Sequence, residues 1–449
     1  MLSEPNVTAL GQDSVRRKFN INCYSFQQDA IVTFNGFQYA CFYSFLESEP
    51  SDTSPEPLYV HVARRQLPLG EWDVMVLGDY PQTTDDGHNT VQMGICPADG
   101  TIHLSFDHHC DALKYRFSAP DVATRPKDFE WRPSLFTPTL HHLPGLPMAD
   151  PKFKDVTYPR FGSSGDSMFC SFRDGKAGLG NDHLYMYVPN KREFVFVGTH
   201  LTGVQSNPYV HGMSWRGGRL HVTWVYRGFV YYEGWDDPLD TKHKQQAGPN
   251  GAENNHDICY AYSDDMGNTW SNGAGKVIAR LHAGETITNN AEGIVAFEIP
   301  KGSGLTNQEA QAVDQEGGVH VLNRDTLDGG HGACPMWKHY YRSPHGVWTR
   351  RPIRPVTGSA RGRLAISKTG DLFIVLPDFG ASEMRVLKAS KASGYASYDE
   401  VWRGNKLTGE PLVDSARLEQ DMVLSVMVLA EEEATLSRKR NVVVLDFQL

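Results

Sequence analysis

The sequence predicts an all-β fold, a seven-bladed β-propeller of four-stranded antiparallel blades, on three observations. A short apolar strand recurs along the chain, usually after a Gly-containing turn, at residues 39–42, 103–106, 169–172, 221–224, 320–323 and 373–376. Further along each unit an aromatic closes a later strand: Trp72, Trp131, Phe194, Trp270, Trp348 and Trp402. Helical periodicity is scarce, and turn dipeptides such as Asn35-Gly36, Asp99-Gly100 and Gly217-Gly218 separate the apolar runs. Radial repetition of four-stranded sheets protects strand edges, and rings of four to eight blades do this.

Six units follow from the anchor strands, and a seventh occupies residues 406–449. An N-terminal strand near residues 20–26 and a C-terminal one at 442–447 are expected to close the ring together. With no Pro/Ser linker, low-complexity tract or long charge run, the whole chain, 1–449, reads as one propeller domain. One unit carries Ser263-Asp264-Asp265-Met266-Gly267-Asn268-Thr269-Trp270, an Asp-box. Its Ser and Asp bond turn amides, its Gly supplies positive φ and its Trp packs beneath, so turn chemistry alone accounts for it.

With 449 residues, 40% of them hydrophobic, the chain buries a large core. A net charge of −10 argues against general binding to nucleic acid or to a membrane surface, so an anionic substrate needs a local basic pocket. No apolar run is long enough to span a bilayer, and the first residues do not read as a signal peptide. The seven cysteines are scattered, without zinc spacing or a disulfide framework.

The repeat sorts the histidines. His103, His221 and His320 share a register that other units fill with Phe or Tyr, which marks them as packing residues hydrogen-bonded between blades. Where the anchor strands stop, ionisable residues gather instead: Asp107-His108-His109, Arg173-Asp174, Tyr226-Arg227, Arg324-Asp325 and Asp378. Segments entering the blades add Tyr158-Pro159-Arg160, Asn207-Pro208-Tyr209-Val210-His211 and Arg361. In a propeller such positions converge near the axis, and this inventory of His, Arg and Tyr suits an anion. The stretch Asp85-Asp86-Gly87-His88-Asn89 and the doublet His108-His109 flank a hairpin whose turn is Pro97-Ala98-Asp99-Gly100, which brings His88 and His108 to one sheet edge.

The Asp85–Asn89 and Asp99–His109 segments, followed by Thr157-Tyr158-Pro159-Arg160-Phe161, Ser171-Phe172-Arg173-Asp174-Gly175 and the Asp-box, resemble the propeller polysaccharide lyases that include the ulvan lyases. In size and pattern the chain is most similar to the fungal L-rhamnose-α-1,4-D-glucuronate lyases. The resemblance implies β-elimination at rhamnosyl-glucuronate ends of the gum arabic type. It places the paired active-site histidines on His88 and His108, the tyrosine on Tyr158 and the arginine on Arg173, and less specifically extends to Tyr209, His211 and Arg227.

A uronate lyase removes the proton on C5 and expels the group on O4. The developing carbanion needs cationic or amide donors at its carboxylate, for which Arg173, Asn89 and His88 are suited. Histidine suits the base near neutral pH. His108 is the expected base, with Tyr158 or the same histidine protonating the leaving oxygen. Asn89, His109, Arg160, Tyr209, His211, Tyr226, Arg227, Trp337 and Arg361 are the expected substrate-binding residues. The run containing Trp337, His339, Tyr340 and Tyr341 fits a sugar-stacking platform and an ordinary aromatic strand equally.

Two other classes use the same inventory. A glycosidase would draw on Asp107, Asp174, Asp325 and Asp378, or, sialidase-like, on arginines and a tyrosine nucleophile; a non-catalytic carbohydrate-binding propeller would need no histidine pair. Catalysis calls for no redox or organic cofactor; the residues do not define a metal site, although carboxylates and carbonyls at blade turns suit structural calcium. The expected partner is an acidic, uronate-containing polysaccharide, met by an extracellular monomer.

Overall fold

The computed structural model describes residues 1–24, 27–47, 57–176, 180–203, 205–235, 237, 239, 250–327, 334–378, 380–432 and 439–449. Among these, the strands form seven antiparallel sheets, one per blade of a β-propeller. The recurrent apolar strands are in each case the second strand of a blade: Phe37–Ser44, Ile102–Phe106, Ser167–Asp174, Arg219–Gly228, Val319–Asp325 and Leu372–Asp378. They are buried nearly throughout because a second strand has sheet neighbours on both edges and a blade on each face.

The innermost strands touch in a ring. Val91–Ile95 meets Val156–Ser164, which meets Ser206–Arg216, then Ala310–Val313, Arg363–Ile366 and Leu407–Val413. Helix Ser415–Asp421 joins the last blade to Ile31–Phe34 of the first. These strands surround an axial cavity of about 180 Å³ lined by Asp29, Arg160, His211, Gln311 and Arg363.

Four blades hold four strands, and the others vary. The second blade has three, its outer edge completed by bridges from Tyr115 to Leu140 and Ser118 to Phe136. The Asp-box turn lies in the fourth, six-stranded blade. Ser263 Oγ accepts from Gly267 N at 2.8 Å, Asp265 Oδ1 accepts from Thr269 N at 2.7 Å, and Trp270 is buried below.

The ring closes differently from the sequence expectation. Asn6–Asp13, not residues 20–26, pairs with Lys439–Gln448 as the outermost strand of the last blade; residues 25 and 26 lie outside the described residues. An outer strand is half exposed, so Asn6–Asp13 carries little apolar alternation to betray it. First and last blades are then bolted by a buried network: Arg65 and Arg417 pair with Asp446 at 2.6 and 2.7 Å, while Thr33 and Gln38 donate to Asp414. The packing histidines also depart in detail, since His103, His221 and His320 bond Tyr115, Tyr260 and His339 within their own blades.

Candidate active site

The hairpin of the second blade forms as expected, with Val91 opposite Phe106, so Asp86–Asn89 and Asp107–His109 emerge together. What the alternation of a strand could not convey is the turn at its end. Asp107 has φ +62° and Cys110 φ +56°, and the intervening chain leaves this blade to pair with Val156 and Thr157 of the next. A left-handed residue breaks the two-residue side-chain alternation. Thus His109, and not His108, meets His88.

The two imidazoles stack with centroids 3.8 Å apart and planes at 16°. Asp86 bridges them, Oδ1 to His88 Nδ1 and Oδ2 to His109 Nδ1, both at 2.6 Å. Burial works against the Asp86 anion, yet the hydrogen bonds from His109 and His88 hold the carboxyl well below its ordinary range. Burial lowers the His88 pKa and brings His109, also disfavoured by the charge on His88, down to about 4. His108 is turned into the protein, its Nε2 accepting from Lys114 N at 2.8 Å, with burial holding it neutral.

Tyr158 lies beside this pair, its ring 5.7 Å from His88. It has φ +57° and occupies an irregularity between Thr157 and Arg160, where the innermost strand of the third blade loses register with its neighbour. A bulge of this kind re-aims a side chain. The fourth blade repeats the device between Val210 and Gly212, at His211.

Arg173, at the end of the third blade's second strand, lies 4.9 Å from the Tyr158 ring and 5.4 Å from Tyr209. Arg227 also lies against Tyr209, 4.6 Å from its ring. Both arginines are buried, and among the described residues neither has a carboxylate partner; Arg173 Nε and Nη1 and Arg227 Nη2 have no hydrogen-bond acceptor. A buried cation without its anion is costly, so a site of this kind is built for an anion that arrives. Burial would raise the Tyr209 pKa, but Arg227 and Arg173, with hydrogen bonds from Asn207 and Arg173, lower it. For Tyr158 burial wins and, with the charge on Tyr209, holds the phenol protonated.

Arg361 is close enough to act on the charges of His88 and Tyr158, but its guanidinium already meets Glu410 at 3.2 Å and Asn307. His211 accepts from Glu309 N, and burial takes it down to about 3. Two residues passed over in the sequence belong here. Asp86 was two positions from the histidine that drew attention, and Tyr24 packs against the Tyr158 cluster near Asp86 and Arg361. Nothing in the irregular segment around Tyr24 marks it in advance.

The structure does not bring four expected binding residues to this cluster. Asn89 donates to Asp107 at 2.7 Å, anchoring the loop from below. Arg160 is paired with Asp182 and Ser171 beside the axial cavity. Tyr226 is buried among Trp224 and His256, and Trp337 is buried beneath Arg324, whose guanidinium lies 4.7 Å from its ring. Both are core residues because an aromatic on a second or third strand faces the neighbouring blade. Three of the four carboxylates weighed for hydrolysis are engaged elsewhere: Asp107 with Tyr80 and Gln82, Asp174 with His183, Asp325 with Lys338 and Tyr340.

Asp86, His88 and His109 are also the group, among the described residues, that could hold a metal ion, their ligand atoms lying within 4.8 Å of one another. Two nitrogens and one carboxylate suit zinc or a similar ion better than calcium, which prefers oxygen. The 2.6 Å hydrogen bonds already occupy both Nδ1 atoms and both Asp86 oxygens.

Fold and cluster together define a seven-bladed propeller with a buried His/Tyr/Arg cluster where the strands of neighbouring blades end. The chain belongs to the BNR repeat-containing family, whose model matches residues 37–355. An ulvan lyase, long isoform, from Alteromonas sp is 24% identical over an alignment of 289 positions that covers 53% of this chain. The chain matches only 26% of that relative's length. Among solved structures, the polysaccharide lyase Uly1 superposes with a TM-score of 0.69 at 16% identity, covering 99% of this chain and 97% of the other. A PL25 ulvan lyase superposes at 0.63 and 15% identity, covering 97% and 95%, and has also been solved bound to -[GlcA(1-4)Rha3S]-.

Proposed function

We propose that this chain is a polysaccharide lyase that cleaves a 4-O-linked uronate by β-elimination, releasing L-rhamnose from rhamnosyl-α-1,4-glucuronate ends and leaving an unsaturated glucuronate. The observation that carries this reading is the pair of buried, carboxylate-free arginines, Arg173 and Arg227, facing the stacked histidines across Tyr158 and Tyr209. An ulvan lyase of the same fold has been solved bound to -[GlcA(1-4)Rha3S]-, an acidic oligosaccharide, which supports a uronate-containing substrate here.

The division of labour follows from the environments. The uronate carboxylate pairs with the unsatisfied N–H groups of Arg173 and Arg227 beside Tyr209, which neutralise the charge that develops as the C5 proton leaves. Nε2 of His109 or His88 takes that proton; both rings are held neutral by burial and so are competent bases. His109 replaces His108 in this assignment. Tyr158, kept protonated, delivers its proton to O4 as the C4–O4 bond breaks and regains one from the imidazolium, which closes the cycle without a cofactor. Arg361 borders the cluster, and His211 lines the axial cavity. The substrate is an acidic polysaccharide, which places the enzyme outside the cell.

One observation favours a second reading. Tyr209, acidified between two arginines, has the environment of a tyrosine nucleophile in a sialidase-like hydrolase. Ultraviolet absorbance and free rhamnose, followed together on a rhamnosyl-glucuronate-capped polysaccharide, separate the two. A lyase makes both rise, with loss of both in His109→Ala; rhamnose without absorbance would establish hydrolysis.

A further inference from the structure

We propose that Asp86 is a positioning residue that fixes the tautomer of both active-site histidines at once, holding each ring's proton on Nδ1 and its lone pair on Nε2. This deepens the lyase reading and rests on it for its kinetic consequence only. An ionised carboxylate can only accept hydrogen bonds. Each of its oxygens lies 2.6 Å from an Nδ1, so both rings must carry their proton on Nδ1 and leave Nε2 bare. Asp86 is itself held in place, Oδ1 accepting from His88 N at 3.0 Å and its carbonyl accepting from Asn89 N at 3.1 Å.

The stack adds a constraint on charge. With centroids 3.8 Å apart the two rings cannot both be cationic without strong repulsion, and Arg173 and Arg361 add to it from the pocket side. The pair therefore accepts one proton, and the imidazolium so formed is balanced by the one carboxylate that touches both rings. Whichever histidine stands nearer C5 is poised as the base, while its neighbour stays neutral.

Asp86→Asn tests this sharply, because an amide offers one acceptor and one donor where the carboxylate offers two acceptors. One ring can keep its Nδ1 proton; the other faces an NH2 group and must move its proton to Nε2. A wrong tautomer in a well-ordered site has cost a Ser-His-Asp protease about 10⁴-fold in kcat. We expect a kcat loss of about 10²- to 10⁴-fold with KM changed less than about threefold. Nitrogen-15 NMR of the ligand-free protein with labelled histidine, assigned through His88→Ala and His109→Ala, reads the tautomers without reference to activity. Native protein should show Nδ1–H on both rings, and Asp86→Asn should switch one of them. Either native ring carrying its proton on Nε2, unchanged tautomers in the variant, or kcat within about threefold of native would overturn the assignment. If the expected tautomers appear in a protein that turns over no uronate, the positioning role stands and the lyase reading fails.

Discussion

Separate replacement of the two adjacent histidines distinguishes a core residue from a reacting one. His108→Ala removes a fully buried ring and the acceptor of Lys114 N. Leaving that amide unsatisfied costs about 1–3 kcal/mol. The void adds to this, so about 2–4 kcal/mol of stability should go. At an unfolding entropy of about 2.1 cal/mol/K per residue, the melting temperature of a chain this long falls by about 2–4 °C. Turnover of the folded protein should stay within about threefold. His109→Ala removes a side chain that faces the pocket, and a general base is worth about 10²–10⁴ in kcat. Its melting temperature should fall by a similar amount, because this ring is buried too and one Asp86 oxygen loses its donor, so turnover separates the two variants. Calorimetry and initial rates on the same preparations read both quantities. A His108→Ala protein that melts like the native chain yet has lost turnover, beside an active His109→Ala, would refute the placement.

Three further outcomes follow from the same geometry. Arg173→Met should lower kcat by about 10²–10³, the usual loss of one donor to a developing oxyanion, with circular dichroism unchanged; an activity within threefold of native would remove the arginine from the chemistry. Acid should weaken the fold in a defined window. His103, His109, His200, His211 and His221 are brought to between about 3 and 4 by burial, so between those values and about 6.5 the unfolded chain binds more protons than the folded one. Their contribution is complete above about 6.5 and is lost as pH falls through about 4. Thermal melts should therefore decline steadily from pH 7 to 4, and a flat profile would contradict the neutral histidines. Trp337→Ala should cost about 3–5 kcal/mol of stability with KM for the polysaccharide unchanged once folded, whereas a raised KM at constant stability would return it to the substrate surface.

The propeller was legible because its core obeys a repeat. Strands such as Phe37–Ser44 and Ile102–Phe106 are buried on every side, and that forces apolar composition at regular intervals. Asn6–Asp13 escaped because an outer strand answers to water as much as to the sheet. Within the site, the residues that sequence reasoning placed well, His88, Tyr158, Arg173, Tyr209 and Arg227, stand where strands end and polar groups have no packing reason to be. The choice between His108 and His109 turned on one left-handed residue, Asp107, and periodicity carries no information about it. Arg160 and Trp337 illustrate the converse. Their residue types suit a sugar, but Asp182 and Arg324 had already claimed them, and partners on other strands of the same blade become visible only once the register is known.

The chemistry itself is tested most directly by running the reaction in water enriched in heavy oxygen and weighing the products. Elimination breaks the C4–O4 bond without adding water, so on a rhamnosyl-glucuronate oligosaccharide the account predicts an unsaturated glucuronate and rhamnose that both lack the label. Saturated products with heavy oxygen at the cleaved bond would mean hydrolysis, and would move the reacting role from the histidine pair to Tyr209.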